Sequence, residues 1–150
     1  MEETKTIEIA ASPQRVWEVL SDVEYWPEWT DSVTSARRLD DGPLRPGSRT
    51  RLKQPRLPET EWVVTDLEPG RSFTWVSTGA GARNTARHDI EPLSGGGARV
   101  RLGFESAGVL GGLVGRLYGG MVKRYLGMEA EGLRRRAESG ATGVESGSGD

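Results

Sequence analysis

A long run of short alternating segments, followed by one long amphipathic segment, constrains the fold of this 150-residue chain most strongly. Between Ser32 and Ser106, charged and apolar residues alternate, and turn sequences such as Glu68-Pro69-Gly70 and Ser94-Gly95-Gly96-Gly97 separate the segments. A period of two is typical of strands with one solvated face. Six strands fit this region and another fits residues 4–10, so the pattern predicts a curved, seven-stranded antiparallel sheet in an α+β domain.

Two short helices are predicted after the first strand. Ser12-Pro13 supplies an N-cap serine and a proline at the first helical position. A second helical piece, Asp22 to about Glu28, contains Pro27, which limits its regularity. Its aromatic residues are expected to form either a lid packed on the core or an aromatic wall at a cavity mouth.

The last predicted element is a helix from about Leu110 to Glu138, because apolar residues recur along it at helical spacing. Its glycines each cost about 1 kcal/mol of helix stability relative to alanine. Close approach to the sheet, room for a bound molecule and bending as a gate are alternative explanations. A membrane dimer is rejected because Arg116 and Lys123 interrupt the segment. Residues 139–150 are predicted to be a disordered tail.

Composition narrows the class of protein. The net charge of −2 gives no field that would attract nucleic acid, and the chain has no cysteine. The polar N-terminus and the absence of a long apolar run predict a cytoplasmic protein without a membrane span. The length fits one domain, predicted at residues 1–138, as a monomer or weak homodimer.

The order of elements is that of the helix-grip fold. Three segments, Ile9–Trp17, Leu20–Trp29 and Val64–Trp75, resemble the START-like (SRPBCC) superfamily of polyketide cyclases and dehydratases. The resemblance covers about residues 4–138. It implies a cavity between the sheet and the long C-terminal helix that holds a polyketide-like or lipid-like molecule. Some relatives catalyse cyclisation or dehydration and many only bind, so the fold does not choose between these functions.

Alternation along the strands and the helical spacing predict which side chains face this cavity. On the fourth strand, either Trp62 with Val64 or Val63 with Leu67 faces inward. The tryptophans Trp26, Trp29 and Trp75 are the leading candidates for ligand contact, since indoles offer large rigid surfaces. The predicted lining residues are Trp26, Trp29, Thr50, Trp62, Phe73, Trp75, Asn84, His88, Ile90, Leu117, Tyr118, Met121 and Tyr125.

His88 is the single histidine of the chain and the weak candidate for a catalytic residue. It could act as an acid, base or hydrogen-bond donor in the cavity, or be a partly buried strand histidine satisfied by a neighbour. No metal site or cofactor is predicted. Three functions stay open, namely a binding module for a small hydrophobic molecule, a polyketide cyclase or dehydratase acting on that ligand, and a sensor.

Overall fold

The computed structural model describes residues 1–79 and 81–148, and for residues 141–148 it describes the backbone alone. The strands are β1 (Glu2–Ile9), β2 (Ser35–Arg38), β3 (Arg49–Lys53), β4 (Thr60–Glu68), β5 (Ser72–Gly79), β6 (Ala82–Pro92) and β7 (Ala98–Ala107). The helices are α1 (Pro13–Ser21), a 3₁₀ helix (Val23–Glu28) and α2 (Gly111–Ser148).

The strands form one antiparallel sheet in the order β1-β7-β6-β5-β4-β3-β2. Each strand from β2 to β7 pairs with its neighbour in sequence, and β1 closes the remaining edge by pairing with β7. The predicted α+β helix-grip fold, with seven strands, two short helices after β1 and a long C-terminal helix, is confirmed.

Strand β4 resolves the alternative that the sequence left open. Trp62 and Val64 are buried and face inward, whereas Val63 and Leu67 are only half-buried. The pairing of β4 with β5 shifts register between Val64 and Asp66. A bulge inserts one extra residue and breaks the period of two, which explains why a single parity could not describe the whole strand.

The two short helices close one end of the sheet. Ser12 caps α1 as predicted, because its hydroxyl accepts a hydrogen bond of 3.1 Å from the backbone N–H of Arg15. The second piece is a 3₁₀ helix, in keeping with Pro27 inside it. Trp26 is buried, and its indole N–H donates to the carbonyl of Leu20 at 3.0 Å. This hydrogen bond holds the Trp26 side chain in place.

Helix α2 has two unlike halves. In the second half Leu126, Ala130, Leu133 and Ala137 repeat at helical spacing and are buried in the core. Gly132 lies so close to the backbone of Trp29 that a Cβ atom there would be 1.9 Å from its carbonyl oxygen. Close approach therefore explains this glycine. The first half is much less buried and extends over one end of the sheet.

The predicted end of the last helix near Glu138 is wrong, because α2 continues to Ser148. Packing continues past that point, since the Glu138 carboxylate accepts from the backbone N–H of Ala10 and Gly140 lies against the Arg15 guanidinium. The backbone of residues 139–148 belongs to α2, and residues 149–150 of the predicted tail lie outside the described residues. No helix in the described part of the chain is long and apolar enough to cross a membrane.

Gly132→Ala is expected to destabilise the protein by about 1–3 kcal/mol, because its methyl group would overlap a backbone carbonyl that cannot rotate away. Gly127→Ala is the matched control on the same helix. Apart from the backbone of the helix itself and the two neighbouring residues, no atom of the described residues lies within 4 Å of the Cβ position there. Alanine should therefore add up to about 1 kcal/mol through helix propensity. Urea unfolding measures both, and equal stability of the two variants would contradict the close packing of α2.

Candidate functional site

A cavity of about 380 Å³ lies between the concave face of the sheet and α2. Strands β3 to β7, the loop after β3 and the helix all contribute to its wall. Its lining residues are Trp26, Val33, Leu52, Gln54, Leu57, Pro58, Thr60, Trp62, Trp75, Ser77, Gly79, Ala82, Asn84, Ala86, His88, Phe104, Leu110, Leu113, Val114, Leu117, Tyr118, Met121, Val122, Tyr125, Leu126 and Glu129. This lining is mostly apolar, and among the described residues it includes neither lysine nor arginine.

The floor of the cavity is built from side-by-side residues on β5, β6 and β7. The strand registers place Trp75, Ala86 and Phe104 opposite one another in a middle row. Ala86 is the small member of this row, so open space remains above it. The row toward the core is Phe73, His88 and Leu102, and the row toward the β5–β6 hairpin is Ser77, Asn84 and Ser106.

The first half of α2 and the loop after β3 form the rim. Leu113 and Leu117 line the cavity although their exposed fractions are 48% and 65%. Opposite them, the Tyr125 hydroxyl donates to the carbonyl of Pro55 at 2.6 Å. This bond ties the helix to the loop after β3. The cavity therefore opens beside exposed leucines and a tethered loop.

His88 lies at the inner end of the cavity. Its ring is 3% exposed and stacks on Phe73, with ring centroids 4.1 Å apart. The Nδ1 atom is 3.1 Å from the Phe73 carbonyl oxygen, so Nδ1–H is the donor in the neutral ring and Nε2 is unprotonated. Burial lowers the pKa of His88 to about 4, although the hydrogen bond to Phe73 opposes the shift.

Glu129 reaches the same point from α2. Its Oε1 atom is 3.6 Å from Nε2 of His88, and its side chain is 13% exposed. Oε1 has no hydrogen-bond partner among the described residues. Burial raises the pKa of Glu129 to about 8, because the carboxylate would lose its hydration.

Together these two groups form an acid beside a base. At neutral pH burial favours the uncharged pair, in which Glu129 retains its proton and His88 has a free lone pair on Nε2. A protonated carboxyl group can donate a proton or hydrogen bond to an oxygen in the cavity, and an imidazole nitrogen can accept a proton. Within the described residues, no cluster of three or more histidine or acidic side chains could hold a metal ion.

The structure brings together nine of the residues predicted to line the cavity. These are Trp26, Trp62, Trp75, Asn84, His88, Leu117, Tyr118, Met121 and Tyr125. Trp75 is nearly inaccessible to solvent, and its ring lies within 5.7 Å of both Trp26 and Trp62 between ring centroids. The aromatic wall that was one of two alternatives for the 3₁₀ helix thus includes Trp26, which also packs in the core.

Four predicted lining residues lie in the core instead of on the cavity wall. Phe73 lies behind the His88 ring, and Ile90 lies one row deeper on β6. Thr50 is fully buried opposite Trp62, and Trp29 is buried beneath α2. Alternation assigned the correct face to the strand residues but not the depth at which the cavity ends.

The prediction omitted four polar wall residues, Gln54, Thr60, Ser77 and Glu129, and the last two lie on the sheet and on α2. Glu129 lies three residues after Leu126 and four before Leu133, within the apolar stripe of α2. A carboxylate within such a stripe is the signal that could have identified it. Ser77 follows Phe73 and Trp75 at the period of two, which is a weaker signal because serine is common near strand ends.

A second and wider concavity of about 930 Å³ lies at the other end of β6, beside the β6–β7 turn and the start of α1. Four of its charged side chains, Glu8, Arg15, Arg134 and Glu138, already have partners. Arg134 pairs with Glu138 at 3.1 Å, and Glu138 also accepts from Ala10. This open surface has a more polar lining than the inner cavity and lacks its buried acid–base pair.

Comparison with known proteins places these features in context. A family model described as "Polyketide cyclase / dehydrase and lipid transport" matches residues 2–138. A search of curated protein sequences finds no match. Among solved structures, the Zhui aromatase/cyclase from Streptomyces sp. R1128 superposes with a TM-score of 0.75 at 18% identity, covering 92% of this chain and 93% of that one.

Two further structures share the fold. A START superfamily protein from Mycobacterium smegmatis has a TM-score of 0.68 at 20% identity, covering 95% of this chain and 98% of its own. The di-domain ARO/CYC BexL from the BE-7585A biosynthetic pathway has a TM-score of 0.69 at 16% identity. The superposition covers 89% of this chain and 46% of BexL.

Glu129→Gln is expected to gain stability over the wild type as pH rises from about 4.5 to about 8, and the difference should level off above that range. The pKa of Glu129 is raised by burial from 4.5 to about 8, so the folded wild type retains a proton that the unfolded chain releases. One such proton makes the wild type less stable by up to about 1.4 kcal/mol per pH unit. Urea unfolding of both proteins across this range measures the difference, and a constant difference would contradict the buried carboxyl group.

Proposed function

Since the chain belongs to the polyketide cyclase/dehydrase and lipid transport family, we propose that it binds a small apolar organic molecule in the cavity between the sheet and α2. The observation that carries this proposal is a mostly apolar cavity with one buried polar pair at its inner end. Its volume of about 380 Å³ lies within the roughly 300–1,000 Å³ typical of small-molecule sites. The exposed leucines at the rim offer an apolar path inward.

The wall supports binding of a flat ligand. Trp26, Trp62 and Trp75 provide rigid aromatic surfaces that lose little conformational entropy when a ligand packs on them. Trp26 is held by its bond to Leu20, and Trp75 is enclosed by other rings. A preformed wall of this kind lowers the cost of ordering side chains on binding.

Ala86→Leu is expected to weaken binding of the neutral fluorescent probe N-phenyl-1-naphthylamine by at least tenfold, because the larger side chain fills the space above the middle row. Thr85→Leu, on the opposite face of β6, is the control and should bind the probe as the wild type does. Titration calorimetry gives the dissociation constants. Unchanged affinity in Ala86→Leu, with the fold intact, would contradict binding in this cavity.

A second candidate function is dehydration or cyclisation of the bound molecule, and the contact between His88 and Glu129 favours it. In dehydration of a β-hydroxy ketone, a base removes the proton from the carbon between the two oxygen functions. An acid protonates the departing hydroxyl, and the C–O bond breaks. Water is released and an enone remains. We propose His88 Nε2 as the base and the protonated Glu129 as the acid, because the two groups lie 3.6 Å apart in a mostly apolar cavity.

We expect the wild type to accelerate conversion of 4-hydroxy-4-phenylbutan-2-one into its enone, which absorbs strongly in the ultraviolet. Glu129→Gln and His88→Gln should each reduce this rate by roughly 100-fold or more, the usual range for loss of general acid–base catalysis. Both variants should still bind N-phenyl-1-naphthylamine. A wild-type rate equal to that in buffer, with binding intact, would leave the chain as a binding protein.

A further inference from the structure

We infer that Ser77, Asn84 and Ser106 form a second polar subsite, which selects neutral ligands that have an oxygen at both ends. This inference rests on the proposed binding function and concerns the same cavity. The three residues, termed here the serine–asparagine row, lie on β5, β6 and β7 at directly opposite positions.

The row is held together by its own hydrogen bonds. The Ser106 hydroxyl donates to Asn84 Oδ1 at 2.8 Å, and Asn84 Nδ2 donates to the Ser77 hydroxyl at 3.3 Å. Ser77 and Ser106 are each 2% exposed, so the row is fixed in the wall. Ser77 and Asn84 line the cavity, whereas Ser106 does not line it and orients the Asn84 amide through its hydrogen bond.

This arrangement leaves donors directed at a ligand. Asn84 Nδ2 has two hydrogens and one is used by Ser77; the Ser77 hydroxyl accepts that bond and retains its own hydrogen. Among the described residues, neither of these remaining hydrogens has an acceptor in the hydrogen-bond network of the row. Ser77 is buried and Asn84 is half-buried, so donors of this kind favour an acceptor oxygen, since leaving a desolvated donor unpaired is costly.

The spacing of the two polar ends sets the shape of the ligand. Asn84 and His88 are four residues apart on the same face of β6. At about 3.3 Å per residue, their Cα atoms are roughly 13 Å apart along the strand. The middle row between them is apolar, with Ala86 flanked by Trp75 and Phe104. The fitting molecule is therefore long, flat and apolar, with one oxygen over each polar end.

Charge further restricts the ligand class. No lysine or arginine lines the cavity in the described part of the chain, and Glu129 lies at the inner end. A ligand carboxylate would have no counterion and would lose its hydration, which is strongly unfavourable in an apolar site. Hydroxyl or ketone oxygens meet the donors without this cost. The cavity thus excludes fatty-acid-like anions in favour of neutral phenols, alcohols and ketones.

Three rigid probes test the inference by titration calorimetry. These are trans-4-hydroxystilbene, trans-4,4′-dihydroxystilbene and trans-stilbene-4,4′-dicarboxylate. The wild type should bind the diol roughly three- to tenfold more tightly than the mono-ol, which is the value of one hydrogen bond. It should bind the dicarboxylate at least roughly 100-fold more weakly than the diol.

Asn84→Leu should bind the two neutral probes within twofold of each other, whereas Thr78→Val, on the outer face of β5, should keep the preference. Ser77→Ala is the milder second variant if Asn84→Leu does not fold, and it should reduce the preference in the same direction. Equal affinity of the wild type for diol and mono-ol, or tight binding of the dicarboxylate, would overturn the inference and leave the binding function intact. If the wild type also failed to bind N-phenyl-1-naphthylamine, both the inference and the proposed binding function would be contradicted.

Discussion

The packing of the second half of α2 against the sheet and the two short helices determines the rest of the structure. Ala130, Leu133 and Ala137 are completely buried, and Gly132 lets the helix backbone touch that of Trp29. This close contact fixes the angle at which the helix leaves the core. The first half contacts the sheet at Gly111, which lies against the Ser106 carbonyl, and at Gly115, which lies against Met1. Between these contacts and the core, a cavity remains beneath the helix. The same packing positions Glu129 beside His88, since both lie where the core ends and the cavity begins.

One strand, β6, contributes polar side chains to both ends of the cavity. Along the inner face of β6, Asn84, Ala86 and His88 are successive residues, respectively polar, small and titratable. The small residue creates space, and its neighbours supply hydrogen-bonding groups at either end of that space. The acid–base pair is uncharged at neutral pH because burial shifts both pKa values toward the neutral forms. This uncharged state therefore depends on the exclusion of water from the pair.

The sequence was sufficient to predict the element order and most inward-facing strand residues, because alternation depends only on the pleat. It could not predict how far into the core the cavity extends. Phe73, His88 and Ile90 all face inward, yet only His88 borders the cavity. The β4 bulge shifts the pairing register between β4 and β5, and the local sequence pattern does not indicate this shift. Glu129 was missed because glutamate on a helix is usually solvated, and only the position of α2 on the sheet buries it.

The arrangement of indole rings has an optical consequence. Three of the five tryptophans, Trp26, Trp62 and Trp75, border the cavity and lie within 5.7 Å of a neighbouring indole between ring centroids. Indole emission depends on the polarity of its immediate surroundings. A molecule that enters the cavity changes the surroundings of a wall to which all three rings belong. The protein therefore contains an intrinsic, label-free indicator of whether its cavity is occupied.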